Sequence, residues 1–363
     1  MRILILSANT GGGHNSTALA IAEQLQTQGV QAEIDDALSY ISEKVSHFVS
    51  WGHSYVYRKM PRLFNAGYRF EEKHPPRFIY NRCAKGTERL ARRLEEGFDA
   101  VICTHAFAGM MLTALRQQGA TTPPAYFVAT DYTCSPGVAD LAMDGFFIPH
   151  ESLKSEFMER GVKPERLHAT GIPIAAAFYE KKDRLTARRA LSLPTNGRIV
   201  LLGCGSMGAG RLDRSALELL KTLPMDTMLV VLCGNNQAAY HALQPYVGER
   251  LRALPFTDRV PDYMSAADLY ITKPGGLTIT EAVIRRLPMV YINAVPGLET
   301  RNFDFMIQSG VACGADKWCE VTALVQQVLQ DPAAMEAQLA CMEQFPQANA
   351  AAAISRIVIE QMK

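Results

Sequence analysis

The stretch MRILILSANTGGGHNSTALAIAEQLQTQGVQAEID, residues 1–35, holds the fold in miniature. Ile3–Leu6 is apolar without interruption, so Arg2–Ser7 reads as a strand buried on both faces. Asn9–His14 reads as a glycine turn, and Ser16–Gln28 as a helix that stops at Gly29. Val30–Asp35 then reads as a second strand. Strand, glycine turn, helix and strand in that order open a doubly wound α/β domain. A second series begins at Ile199–Gly203, passes through a glycine turn to a helix over Arg214–Thr222, and continues with a strand at Thr227–Cys233. The fold class is therefore α/β, with two Rossmann-like domains in tandem and a cleft expected between them.

Working outward, the first domain is expected over residues 1–173 and the second over 185–345, with Glu180–Arg184 as a charged linker. Residues 346–363, with a helix over Ala348–Met362, are expected to pack back toward the first domain. A chain of 363 residues suits two domains, and 48% apolar residues supply a core for each. The formal net charge of +1 excludes a globally basic nucleic-acid binder. No apolar run reaches eighteen residues, and the N-terminus lacks a signal-peptide shape. Eight cysteines without a CxxC pair point to free thiols in a reducing compartment, so a cytoplasmic protein is expected.

The charge is concentrated. Lys44–Arg93 carries twelve Lys or Arg against three Glu, a net +9. The same segment holds Trp51, Tyr55, Phe64 and Tyr68 beside Arg58, Lys59 and Arg62. Ile41, Val45, Phe48, Val49, Gly52 and Val56 recur at helical spacing. Two readings stand: a solvated helical face over an ordinary core, or a surface that meets anionic lipid. No nucleic-acid-binding signature accompanies the patch.

Three loops between a strand and a helix suit anions: Gly11–His14, Gly203–Gly208 and Lys273–Thr278. None is a dinucleotide fingerprint or a Walker A loop, and a diphosphate shared by the last two fits the pattern. Glu281 has two readings. Thr278-x-x-Glu281 matches a capping box, whereas a carboxylate there could also accept the two hydroxyls of a ribose. His14, His105 and Asp131 each follow the end of a first-domain strand and should converge on the cleft. Histidine is the natural base for a hydroxyl near neutral pH. No GxSxG elbow, HExxH motif or metal-ligand spacing is present, so neither a serine hydrolase nor a metal centre is expected.

These residues also carry a resemblance. Ser7–His14, Met60–Leu63 through Tyr68, Thr130–Thr133, Thr170–Pro173, Thr272–Thr278 with Glu281-Ala282, and Pro296-Gly297-x-Glu299-x-x-Asn302 together resemble one family. It is that of monogalactosyldiacylglycerol synthases and processive diacylglycerol glucosyltransferases, relatives of the lipid-linked N-acetylglucosaminyl transferase of peptidoglycan synthesis. The similarity runs over nearly the whole chain.

The resemblance implies a GT-B fold and inverting, metal-independent transfer of a hexose from a UDP-sugar to a lipid such as diacylglycerol. The UDP-sugar is a substrate, and no cofactor is implied. His14 resembles the base, and Asp131 would orient His14 or the acceptor. Phe256, Thr257 and Val260 resemble the uracil contact, and Glu281 the ribose contact. Gly13, Gly205, Ser206, Met207, Gly208, Gly275, Gly276, Leu277 and Thr278 would lie along the donor, with Glu299 and Asn302 on the sugar hydroxyls. Trp51, Tyr55, Arg58, Lys59, Arg62, Phe64 and Tyr68 would meet the membrane and acceptor at the inner face of the cell membrane. Leu298 stands where the family often has Gln, and Cys134–Val138 departs from the family's His and Trp after the Thr-Asp motif. A nucleotide-sugar epimerase of the same fold, or a non-catalytic UDP-sugar sensor, are the competing readings. Self-association is left open.

Overall fold

The computed structural model describes residues 1–9, 12–42, 44, 81–292, 298–315 and 317–362. Residues 45–80, and with them the expected membrane contacts Trp51, Tyr55, Arg58, Lys59, Arg62, Phe64 and Tyr68, lie outside the described residues. The chain divides into two compact units. One comprises Met1–Ala176 with Ala348–Lys363, and the other Ala177–Val295 with Glu299–Gln347.

The first unit runs β1 (Arg2–Ser7), α1 (Gly12–Thr27), β2 (Gln31–Asp36), α2 (Thr87–Leu94), β3 (Ala100–Cys103), α3 (Ala106–Gln117), β4 (Ala125–Val128), β5 (Gly145–Ile148), α4 (Lys154–Glu159) and β6 (Leu167–Ala169). The second begins with α5 (Arg184–Ala190), β7 (Arg198–Gly203), α6 (Leu212–Thr222), β8 (Thr227–Leu232), α7 (Gln237–Leu243) and β9 (Leu251–Leu254). It continues with α8 (Val260–Ala266), β10 (Leu269–Thr272), α9 (Gly276–Ile284), β11 (Met289–Ile292), α10 (Leu298–Gln308), β12 (Ala312–Ala315), α11 (Trp318–Gln330) and α12 (Pro332–Met342). The terminal helix α13 (Ala350–Gln361) belongs to the first unit and packs on α1.

Among the described residues each unit holds one parallel sheet, ordered β2-β1-β3-β4-β5-β6 and β12-β11-β10-β7-β8-β9. Continuous apolar runs form these strands because helices cover both faces; Ile3–Leu6 and Ile199–Leu202 are all buried. Ile3, Ile5, Ile102 and Phe147 share a core with Ile21 and Leu25 of α1 and with Ile354 and Val358 of α13. Full burial of each such side chain contributes about 1.5–3 kcal/mol. Strand order reverses between β1 and β3 in the first sheet and between β7 and β10 in the second. At such switch points the loops leaving the carboxyl ends diverge and open a crevice for a ligand.

Three differences from the sequence reading have physical causes. The charged stretch ends in a helix, α5, that is fastened rather than solvated. Asp183 caps it by accepting from the Thr186 N–H at 2.9 Å, while buried Arg188 meets Asp268 at 2.6 Å and the Ala266 carbonyl at 2.9 Å. Strand β12, Ala-Cys-Gly-Ala, has no β-branched residue to announce it and exists by pairing with β11. Helix α12 starts where Asp331 accepts from the Ala333 N–H at 3.0 Å with Pro332 at the first position, a start signal that periodicity alone passes over.

Helix α9 ends in a Schellman motif, with Leu287 N–H on Ala282 O at 2.9 Å and Arg286 N–H on Val283 O at 3.0 Å. The residue that must turn left-handed is Arg286, with φ 52°, where glycine has no Cβ penalty. Its exposed ion pair with Glu343 at 2.8 Å contributes only a few tenths of a kcal/mol. Arg286→Gly should therefore stabilise the protein by about 0.5–1 kcal/mol, read as a higher urea midpoint. A lower midpoint would show that Arg286 is held by more than its backbone.

Candidate active site

In the first unit the loops after β1 and β3 meet around His14. Helix α1 begins at Gly12, earlier than the expected Ser16, so Gly13 and His14 sit in its first turn. The His14 Nδ1 lies 2.7 Å from the Thr104 carbonyl oxygen and 3.2 Å from the Thr130 hydroxyl. A carbonyl can only accept, so Nδ1 carries the proton and Nε2 keeps its lone pair. Burial pushes the His14 pKa below its ordinary 6.5, partly opposed by the bond to Thr104. The ring therefore favours the neutral form, and among the described residues no hydrogen bond engages its Nε2.

His105 is occupied differently. It caps α3, its Nδ1 accepting from the Phe107 N–H at 3.1 Å, so its own proton resides on Nε2. Its ring stands edge-on to His14, with centroids 4.4 Å apart. At Nδ1 of His14 the contacts among the described residues are those of Thr104 and Thr130. Asp131 follows Thr130 and is half-buried, with an interaction of its own.

In the second unit the loop after β7 is shaped by left-handed glycines, Gly205 at φ 70° and Gly208 at φ 56°. A Cβ on Gly208 would lie 1.9 Å from the Cys233 carbonyl oxygen, so this position admits no side chain. The loop is locked to its neighbour after β8. Asn236 Nδ2 donates to the Gly208 carbonyl at 2.8 Å, and the Asn235 N–H donates to Ser206 at 2.9 Å. Ser206 is exposed, Met207 half-buried, and a small cleft beside them is lined by Cys204, Gly210, Leu212, Ser215, Lys273 and Ile292.

Across the switch point, Gly275 is the N-cap of α9 and no side chain caps it. The N–H groups of Gly276, Leu277 and Thr278, which open the helix, therefore lack an intrahelical partner. This start displaces the expected one at Thr278, so Thr278 is the third helical residue and Glu281 the sixth. The Thr278–Glu281 capping box does not form. None of the hydrogen bonds or ion pairs among the described residues engages the Glu281 carboxylate. Its dehydrated setting pushes it up to about 7.

Two further groups support this loop. Asn302 is fully enclosed and donates to the Pro274 carbonyl at 3.0 Å, a bond that helps hold the loop. Glu299, one turn earlier on α10, lies 3.9 Å from the Lys273 ammonium, and both are buried. The sequence reading placed Lys273 in the third anion-binding loop without giving its side chain a role. Phe256, after β9, is 59% exposed, an aromatic face open to stacking. Thr257 and Val260 beside it are half-buried.

Comparison with known proteins places these features in a wider setting. Residues 14–174 match the model of monogalactosyldiacylglycerol (MGDG) synthase, and residues 199–357 match that of the glycosyltransferase family 28 C-terminal domain. The chain is 27% identical over 341 residues to a processive diacylglycerol beta-glucosyltransferase of Bacillus subtilis, covering 91% of this chain and 87% of that one. Its fold is similar to that of Acinetobacter baumannii MurG, with a TM-score of 0.66, 18% identity and 99% of each chain covered. It is also similar to a UDP-GlcNAc 2-epimerase of Neisseria meningitidis bound to UDP-GlcNAc, with a TM-score of 0.59, 13% identity, and 100% and 99% of the two chains covered.

Proposed function

Because residues 14–174 match the monogalactosyldiacylglycerol synthase model and residues 199–357 that of the glycosyltransferase family 28 C-terminal domain, we propose that this chain moves a hexose from a UDP-sugar onto a lipid hydroxyl, with diacylglycerol the favoured acceptor. The observation that carries the donor half is the uncapped start of α9 at a sheet switch point, with the Glu281 carboxylate, unpaired among the described residues, five residues further on. In this reading the N–H groups of Gly276–Thr278 and the Gly205–Gly208 loop hold the diphosphate. Glu281 accepts the ribose diol, and Phe256 with Thr257 and Val260 faces the uracil. Glu299, held by Lys273, and Asn302 serve the sugar.

His14 Nε2 removes the acceptor proton as the hydroxyl attacks the anomeric carbon opposite UDP, and Asp131 orients the acceptor. One displacement inverts the anomeric centre. Backbone donors and the helix dipole receive the charge that develops on the leaving diphosphate, which is electrostatic preorganisation in place of a cation.

A lipid acceptor requires the enzyme to work at a membrane surface. Among the described residues no helix is long and apolar enough to cross a bilayer. The net +9 of Lys44–Arg93 favours attachment to anionic lipid at the inner face of the cell membrane, at about 1 kcal/mol per engaged Lys or Arg before screening. The deciding assay is UDP release from a panel of UDP-sugars with and without diacylglycerol vesicles, in EDTA and in magnesium. Lipid-dependent release that survives EDTA is the expected result, and loss restored by magnesium would overturn the metal-independent account. Charge reversal at Arg58, Lys59 and Arg62 should abolish binding to anionic vesicles while UDP affinity stays unchanged. Isomerised UDP-sugar would instead identify an epimerase, and tight binding without turnover a sensor.

A further inference from the structure

We propose that Thr130 is a positioning residue for the base, its hydroxyl oxygen serving where a carboxylate partner of a catalytic histidine would otherwise stand. The inference rests on the reading of His14 as the base.

The geometry is carried by three neighbouring strand ends. His14 follows β1, Thr104 follows β3, and Thr130 follows β4, and these strands lie side by side. Thr104 is fixed by its own backbone bond, and Thr130 follows a residue that is. The Thr104 N–H donates to the Leu6 carbonyl at 3.0 Å, and the Ala129 N–H donates to the Phe147 carbonyl at 2.9 Å. Thr104 is completely enclosed and Thr130 is 8% exposed, so neither is diluted by solvent. Thr104 contributes through its carbonyl, and among the described residues its own buried hydroxyl has no partner.

The His14 Nδ1–H therefore faces two oxygens, the Thr104 carbonyl at 2.7 Å and the Thr130 hydroxyl at 3.2 Å. While the ring is neutral, the shorter bond fixes the tautomer. As Nε2 receives the acceptor proton, Nδ1–H becomes a charge-assisted donor and its bonds to both oxygens strengthen. Thr130 thus stabilises the imidazolium more than the neutral ring, which lowers the barrier to proton removal. Among the described residues the titratable groups beside these contacts are His105, edge-on at 4.4 Å with its Nδ1 committed to Phe107, and Asp131, next to Thr130 in the chain.

The test compares Thr130→Val, which keeps the shape and removes the oxygen, with Thr130→Ser, which restores it. UDP release with diacylglycerol vesicles is followed as a function of pH. The His14 ring is titrated in parallel by nitrogen-15 NMR of histidine-labelled enzyme, its signals identified by their loss in His14→Ala. Thr130→Val should lower kcat about tenfold and move the acid limb down by about one pH unit, with the donor KM unchanged. Thr130→Ser should recover most of the rate. The NMR titration should move in the same direction even if the valine variant turns over too slowly to assay.

A wild-type rate and an unmoved His14 titration in Thr130→Val would overturn the inference. A rate loss without a change in that titration and without rescue by serine would also overturn it, marking a merely structural role. If His14→Ala turns over normally, the base assignment itself fails, an outcome distinct from either of these.

Discussion

His14→Ala should lower turnover by about 10²–10⁴-fold while UDP binds almost as before. The loss follows from the position of the ring. Its Nδ1 is committed to Thr104 and Thr130, so Nε2 is the nitrogen able to take a proton, and alanine leaves nothing in its place. The groups assigned to UDP, Gly275–Thr278 and Glu281, belong to the other unit. The pH dependence has a definite sign. Burial lowers the His14 pKa below 6.5, and a base must be neutral to accept a proton. Wild-type activity should therefore persist below pH 6.5 and fall only as pH drops through the lowered value. The unfolded chain takes up this proton first, so the same shift also costs stability as pH falls below 6.5. Stopped-assay rates and UDP calorimetry check both halves. A variant with near-normal turnover would transfer the role to His105 or Asp131.

Glu281→Gln should weaken UDP binding about tenfold to a hundredfold and, unusually for the loss of a site residue, stabilise the empty protein above pH 7. The folded carboxyl titrates at about 7 against 4.5 for a hydrated one, because burial disfavours its charge. Between these values the folded state keeps a proton that the unfolded state has lost. Stability therefore falls as pH rises from 4.5 to 7, and the full penalty, on the order of 2 kcal/mol after solvent screening, is present above 7. Glutamine cannot ionise and escapes it. The variant should melt higher than wild type at alkaline pH and alike near pH 4. A ribose diol donates best to the ionised carboxylate, so wild-type UDP affinity should rise with pH through 7. A glutamine variant that melts lower at alkaline pH and binds UDP normally would reduce Glu281 to a structural residue of α9.

Some of this was legible along the chain, because it depends on near neighbours. Ile3–Leu6 and Met228–Leu232 leave no polar face, so they form strands only in a sheet covered on both sides. The glycine turns after β1 and β7 and the TKPGGLT loop after β10 mark helix starts at strand ends, which made the two doubly wound units and the anion-binding loops readable. Where a helix starts was less legible. Thr278 was the better cap by side chain, yet Gly275 has that place, because backbone position at the end of β10 outweighs the few tenths of a kcal/mol that separate Gly from Ser, Thr or Asp caps. Strand β12 lacked any local preference and came from pairing with β11.

The chemistry of the two key side chains belongs to the tertiary structure alone. His14 and Glu281 were visible as residue types at suggestive positions. That the His14 proton sits on Nδ1 follows from Thr104, 90 positions away, and Thr130, 116 away, meeting its ring through adjacent strands, and that its pKa is lowered follows from burial. That the Glu281 pKa is raised follows from what surrounds it in space. Sequence periodicity reports which faces are apolar, because burial repeats with the backbone. Protonation and tautomer depend on distances between chemical groups far apart in the chain, and only the folded sheet sets those distances.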